Sequence, residues 1–539
     1  MAFLLHQLLS ESAAKYPDRE AVAFKERTIT YAELERESNK VAHMLVALKI
    51  AKGDRIGLYF NRGIESIISA CGILKAGATY VPLDPASPVR RVTYIIEKCG
   101  IKSLLTLREK LTKIEKVFPE HPPLEHIVLM DGIDPGVGSV GSTQLIDGCS
   151  VPDELGERAP VVNIIDSNIA YILFTSGSTG NPKGVMISHL NSLTFVNSAC
   201  DFFRIEKEDR LSNIAPLHFD MSVFDIFVAF KAGACVVAIP ETTAIFPVKL
   251  AEYIPEKKIS VWNSVPSALS LLATYKNLDT HDLSSLRLIL FAGELFPLKY
   301  LRLLQEAIPG ARFCNMYGQT EANSSTYYWV DQLPSDDRGI LPIGRALPNF
   351  EVFALDEDGK LVDKPEQEGE LYVRASTVAL GYWGELEKTA NSFVRNPLRP
   401  DLRERVYKTG DLVRLDSDGN YVFLGRKDHM IKSRGYRIEL GEIETVIANH
   451  EQVKNSVVIA IPDELIGNRI AAVIVPLSKG TIGKEDVIRY CATRLPRYMI
   501  PEIIEFRDSL PMTSSGKVDR KKILLSGFST CNGLISKVV

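Results

Sequence analysis

No apolar run in this chain of 539 residues approaches the length a helix needs to cross a bilayer, about 20 residues. The amino-terminal stretch MAFLLHQLLSESAAKYPDREA lacks a basic leader and is interrupted by His6, Gln7, Ser10 and Glu11. It therefore reads as an amphipathic helix and not as a signal peptide. An excess of charge is missing too: the formal net charge is −4, which gives no reason to expect a nucleic acid or an anionic membrane as partner. The eight cysteines, at positions 71, 99, 149, 200, 235, 314, 491 and 531, form no CxxC pair. Free thiols in a reducing cytoplasm are the simplest account of them. Neither a short-period repeat nor a low-complexity tract is present, and the Walker A spacing of glycine, four residues, then Gly-Lys-Ser/Thr is absent.

What remains is ordinary globular composition, 45% hydrophobic and 24% charged, over a length that allows several domains. The first third alternates helix and strand. Thr30 with Glu33 forms a capping box ahead of the helix TYAELERESNKVAHMLVAL. A strand over 55–60, a helix over 64–75, a strand over 79–83, a helix over 89–97 and a strand over 102–106 follow. Repeated β-α units of this kind predict a mainly parallel sheet covered by helices. Glycines and Pro135 make 131–160 an irregular connection. From about 340 to 425 the strands shorten and alternate between Asp-Gly and Asp-Ser turns, predicting an antiparallel β subdomain. An α+β pattern returns after about 430. The expected fold is thus α/β: a large domain over 1–427, with a β subdomain over 340–427, and a small α+β domain over 428–539.

The stretch YILFTSGSTGNPKGVMIS, from Tyr171 to Ser188, is the chemical anchor. An apolar strand runs into Thr175, Ser176, Gly177, Ser178, Thr179 and Gly180, and Lys183 stands just beyond. Glycines let successive N–H groups face one anion, hydroxyls add donors, and the lysine adds charge, so the stretch can hold phosphate. A Gly/Ser-rich surface loop has the same composition. Four further stretches carry reactive groups, each with a plainer alternative. Asn315-Met316-Tyr317-Gly318-Gln319-Thr320-Glu321 offers an aromatic face, a hydroxyl and a carboxylate for Mg²⁺, or merely a turn with a solvated glutamate. Asp411 in YKTGDL suits paired ribose hydroxyls, or ends a strand. Gly425-Arg426-Lys427-Asp428 leads into IKSRGYRIELGEIE. Lys517 sits in the small-residue loop LPMTSSGKVDRKKI, where a lysine is commonly a solvated charge.

In this order, and with LKAGATYVPLDP at 74–85, the stretches closely resemble the adenylate-forming superfamily of acyl- and aryl-CoA synthetases, luciferase and peptide-synthetase adenylation domains. The resemblance covers essentially the whole chain. It is nearest to amino-acid-activating adenylation domains of non-ribosomal peptide synthesis, on YVPLDP, SGKVDR and the segment Phe219-Asp220-Met221-Ser222-Val223-Phe224-Asp225. Gln319 departs from the proline usual there.

The resemblance implies that a substrate carboxylate attacks the α-phosphate of ATP, giving an acyl adenylate and pyrophosphate. A thiol then takes the acyl group after the small, mobile carboxy-terminal domain swings about a hinge at Asp428. Residues 175–180 and Lys183 would hold the β- and γ-phosphates. Thr320 would take the α-phosphate, and Glu321 the Mg²⁺. Tyr317 would stack on adenine with Gly293, Glu294, Asn315, Met316 and Gly318 around it. Asp411, assisted by Arg426, would take the ribose. Lys517 would bridge the substrate carboxylate and the phosphate. Asp220 would hold an α-ammonium, with Met221, Phe224, Asn263, Leu290, Ala292, Met316, Ser324 and Ser325 lining a neutral side-chain pocket. This implies activation of a compact neutral amino acid such as proline, alanine, serine or threonine. No carrier or condensation motif is found, so a free-standing ligase loading a separate phosphopantetheinylated carrier protein is expected. The alternatives are a D-alanine–carrier protein ligase, an acyl- or aryl-CoA ligase, and a non-catalytic ATP-binding module that kept the fold.

Overall fold

In the computed structural model, residues 2–117, 124–134, 138–177, 181–333, 339–428, 430–478, 480, 482–512 and 518–527 are described, the side chains of 115–117 excepted. The chain divides into two compact units. The first comprises 1–85, 94–174 and 184–427, and the second 86–93, 175–183 and 428–539.

Two nine-stranded sheets dominate the first unit. One runs in the spatial order Arg345–Ala346, Asn323–Trp329, Arg312–Gln319, Leu288–Ala292, Val261–Ser264, Arg210–Asn213, Cys235–Ala238, Glu20–Phe24 and Arg27–Thr30. Its interior pairings are parallel and those towards both edges antiparallel. The other runs Gly381–Tyr382, Lys183–Ser188, Ile169–Thr175, Thr79–Pro82, Arg55–Tyr59, Ser103–Thr106, His126–Leu129, Thr143–Asp147 and Ser139–Val140. Central strands such as Leu288–Ala292 and Thr79–Pro82 are buried at every residue, as expected where helices cover both faces of a parallel sheet. A third, antiparallel sheet contains Glu351–Leu355, Glu368–Arg374, Arg405–Leu415, Phe393–Arg395 and Tyr421–Arg426.

The helix Tyr31–Ala47 starts at the expected capping box: the Thr30 hydroxyl accepts from the Glu33 amide, and the Glu33 carboxylate accepts from the Thr30 amide at 2.8 Å. Those bonds hold the Glu33 carboxyl below its usual range. Lys75 of LKAGATYVPLDP is fully buried and structural. Its ammonium donates to Ser38 at 2.8 Å and Asn39 at 2.7 Å and pairs with Glu35 at 2.7 Å, joining two helices. Part of 131–160 departs from the irregular course expected of it. Thr143–Asp147 pairs parallel with His126–Leu129, because Thr143 and Leu145 turn inward and the Thr143 hydroxyl donates to the Leu124 carbonyl at 3.0 Å. Its flanking glycines concealed a strand of five residues.

The second unit has its own core. The hairpin Met430–Ser433 with Tyr436–Glu439, the helices Leu440–Ala448 and Lys484–Ala492, and the sheet of Val453–Asp463, Gly467–Pro476 and Ile503–Phe506 enclose Ile438, Ile443, Ile447, Val458 and Ile474. Among the described residues, no helix is long and apolar enough to cross a membrane, and the seven described cysteines are free thiols.

His189 opens the helix His189–Phe202, and its imidazole is 1% exposed, with Nδ1 accepting from the Leu5 amide at 3.1 Å. Burial pulls its pKa from 6.5 down to about 4. The unfolded chain can therefore take a proton that the folded chain refuses, so stability is lost as pH falls below 6.5 and the loss stops growing near 4. Urea unfolding should show His189→Gln losing about 2 kcal/mol less than the parent between neutral pH and about pH 5. Identical acid limbs would contradict this account of His189.

Candidate active site

Open α/β sheets place ligand-handling residues beyond the carboxyl ends of their strands, and the candidate residues here cluster in the same way. Gly293 and Glu294 follow Leu288–Ala292, Thr320 and Glu321 follow Arg312–Gln319, and Asp220 lies beyond Arg210–Asn213. Parallel pairing sets Ala292 beside Met316 and Asn263 beside Leu290. The chain then reverses into Asn323–Trp329, with Gly318 opposite Ser324 and a register shift after Tyr317. A Cβ at Gly318 would lie 1.9 Å from the Asn323 carbonyl oxygen, so only glycine allows this tight reversal.

Asp411 is a buried carboxylate held by three side-chain donors. It lies opposite Arg426 in the register of two antiparallel strands, and the Arg426 guanidinium donates to its Oδ1. The Tyr317 hydroxyl and the Gln319 amide both donate to Oδ2, the latter at 2.5 Å. Burial and the Asp411 charge push the Tyr317 phenol well above its usual pKa, so it stays a donor. The Tyr317 ring packs with Ile343, Leu371 and Val413. Gln319, conspicuous in the sequence only as a departure, is thus a working member of this network.

Glu321 is wholly buried, and its Oε1 accepts from the Tyr382 hydroxyl at 2.8 Å. Among the described residues, no three His, Cys, Asp or Glu side chains gather as a metal cluster. A lone carboxylate matches the chemistry of Mg²⁺, which takes few protein oxygens and fills its sphere with water and phosphate. Glu294 accepts from the Ser267 amide at 3.0 Å, and Asn315 donates to the Pro342 carbonyl at 2.8 Å.

Asp220 and Thr320 line one cleft with Tyr171, Ile187 and Thr377. The other residues expected around the substrate divide. Phe224 packs edge-on to Phe203 in the core. The Ser325 hydroxyl donates to the Asn323 carbonyl, and the Ser324 amide to the Asn323 side chain. The Asn263 amide donates to Asp225 at 2.8 Å, and Asn213 reaches the same carboxylate at 3.0 Å. Burial raises the Asp225 carboxyl to about 8. Met221 begins the short helical turn after Asp220.

In the second unit, Gly177 approaches Asn181 closely. A Cβ there would lie 2.1 Å from the Asn181 carbonyl oxygen. The Ser176 hydroxyl donates to the Arg437 carbonyl at 2.7 Å, and the Gly177 amide donates to Glu442 at 3.3 Å. Glu442 also accepts from Arg91 at 2.6 Å, both side chains being buried. Burial raises the Glu442 carboxyl, with Arg91 opposing. The hairpin over 430–439 turns through Arg434 and Gly435, both at positive φ, as a two-residue turn of this hand requires. Arg434 pairs with Glu502 at 3.3 Å, and Tyr436 stacks on Tyr498. The Asp428 carboxylate accepts from the Met430 amide. The Thr175 hydroxyl is buried without a hydrogen-bond partner. Ser178, Thr179, Gly180 and Lys517 lie outside the described residues. Neither Arg91 nor Glu442 stood out in the sequence, because a partner 351 positions away leaves no local pattern.

Residues 9–383 match the family model for AMP-binding enzymes, and 442–517 match that of their carboxy-terminal domain. The chain belongs to the AMP-binding enzyme family. It is accordingly a ligase, and ATP is its nucleotide. It is 37% identical over 518 residues to the L-proline–[L-prolyl-carrier protein] ligase of Pseudomonas fluorescens, an alignment covering 96% of this chain and 98% of the relative. It is 33% identical to bacitracin synthase 1 of Bacillus licheniformis, where the match spans 96% of this chain and only 9% of that protein. The solved adenylation domain AlmE of Vibrio cholerae, in complex with glycyl-adenosine-5'-phosphate, shares the fold with TM-score 0.83 and 23% identity over 98% of both chains.

The buried Arg91–Glu442 pair gives a stability prediction. Arg91→Met strands Glu442 and should destabilise the second unit by about 3 kcal/mol or more, whereas Arg91→Met with Glu442→Met should recover most of the loss. Hydrogen exchange across Leu440–Ala448 reads both. Equal protection in all three proteins would rule out a structural pair.

Proposed function

We propose that this ligase activates a compact neutral amino acid as its aminoacyl adenylate and transfers it to the phosphopantetheine thiol of a separate carrier protein. The substrate carboxylate oxygen bonds to the α-phosphorus of ATP, and the bond to the leaving pyrophosphate breaks. The thiol sulfur then bonds to the acyl carbon, and AMP leaves. Both reactants of the first step are anions, so positioning and charge neutralisation supply most of the rate enhancement.

In this reading Asp411, steadied by Arg426, Tyr317 and Gln319, receives the ribose hydroxyls. Gly293, Glu294, Asn315 and Met316 surround the base. Thr320 takes the α-phosphate, and the 175–183 loop with Lys183 the two outer phosphates. Glu321 would hold Mg²⁺, which would neutralise phosphate charge when bound. Lys517 bridges the attacking carboxylate and the phosphate, and Asp428 is the hinge between the half-reactions, with 428–539 as the moving part. The observation that carries the reading is Asp220, a carboxylate on the cleft shared with Thr320. An α-ammonium at Asp220 would leave the neighbouring carboxylate directed at the α-phosphate. The carrier-protein ligase relative, covered along nearly its whole length, supports an amino acid and a carrier as substrates.

Amino-acid-dependent exchange of pyrophosphate into ATP, run over the twenty amino acids and D-alanine, is the test. Exchange with one small neutral L-amino acid is expected. Exchange with D-alanine alone would favour the D-alanine–carrier ligase, and exchange only with a fatty or aryl acid would sink the amino-acid reading.

A further inference from the structure

The Asp220 cleft contains a hydroxyl that the fold holds in place and leaves unused. Thr377 lines it, is 2% exposed, and its Oγ1 has no hydrogen-bond partner. Several polar side chains around it are committed elsewhere. The Tyr171 hydroxyl shares a hydrogen bond with Ser192 at 2.6 Å. The Asn191 side-chain Oδ1 accepts from the Ser188 amide at 2.8 Å, and the Asn323 side chain accepts from the Ser324 amide at 2.7 Å.

The backbone carrying Thr377 is clamped on both sides. The Asn191 amide donates to the Ser376 carbonyl at 2.7 Å and to the Val378 carbonyl at 3.1 Å, bracketing Thr377. Two residues on, the Ala379 amide donates to the Glu321 carbonyl at 2.8 Å. Thr377 is therefore tied between the helix His189–Phe202 and the turn that carries Thr320 and Glu321. Burying a hydroxyl without a partner carries a desolvation penalty that a methyl group would avoid. A stranded hydroxyl on a built cleft points to a ligand.

We propose that Thr377 is a substrate-contacting, specificity-determining residue whose hydroxyl accepts a hydrogen bond from the α-ammonium held by Asp220; this rests on the amino-acid reading of the site. An α-ammonium carries three N–H donors, or two in proline, and once out of water each needs an acceptor. Asp220 is the one carboxylate among the described residues lining the cleft, and the Thr377 oxygen adds an uncharged acceptor beside it. A substrate lacking the ammonium has no donor for it.

The test compares Thr377→Val, which keeps the shape, with Thr377→Ser, which keeps the hydroxyl, in amino-acid-dependent pyrophosphate exchange and thermal unfolding. In Thr377→Val the KM for the amino acid should rise about tenfold or more, with the KM for ATP unchanged. Thr377→Ser should stay near the parent. The Thr377→Val melting temperature should equal or exceed the parent's, since the hydroxyl stabilises nothing in the free protein. An unchanged amino-acid KM, or a lowered melting temperature with both KM values raised, would overturn the assignment and leave the proposed function standing. A parent protein that exchanges with no amino acid would overturn both.

Discussion

A carboxylate taken out of water must be given donors, and that requirement shapes the centre of this protein. Asp411 receives three, from Arg426, Tyr317 and Gln319. Glu321 receives the Tyr382 hydroxyl, Asp225 two asparagine amides, and Glu442 the Arg91 guanidinium with the Gly177 amide. A buried carboxyl left without partners is costly whether charged or neutral, so each donor set fixes one local geometry. The sheets and their turns serve to bring these donors to their carboxylates.

The same economy separates what the fold completes from what it leaves for a ligand. Asp225, between Asn213 and Asn263, is satisfied internally and stiffens the segment behind Asp220. The Thr377 hydroxyl and the Thr175 hydroxyl at the mouth of the glycine-rich loop are buried yet unbonded. Satisfied polar groups build the frame, and the stranded Thr377 hydroxyl is the one that lines the Asp220 cleft. Asp220 stands on the cleft where both kinds meet.

Much of the architecture was legible because periodicity is a local signal. The β-α alternation of the first third, the capping box at Thr30 and the short alternating strands beyond 340 all reappear in the fold. Arg426 beside Asp411 was expected only through the family resemblance, and strand register across a short connection is what pairs them in the fold. Thr143–Asp147 escaped because five residues between glycines carry too little pattern. Asn191, Thr377 and Tyr382 escaped because their neighbours come together only through tertiary folding. Gln319 was visible only as an anomaly, and its meaning required Asp411 to be brought beside it.

The central claim is that Asp220 selects an amino acid by pairing with its ammonium. The most direct measurement compares adenylate formation from the preferred amino acid with that from its desamino analogue, in the parent and in Asp220→Ala. The parent should favour the amino acid by about 100-fold or more, because the analogue brings no ammonium to Asp220. Asp220→Ala should lose most of that preference. An undiminished preference in Asp220→Ala would contradict the account, because the ammonium would then be recognised elsewhere.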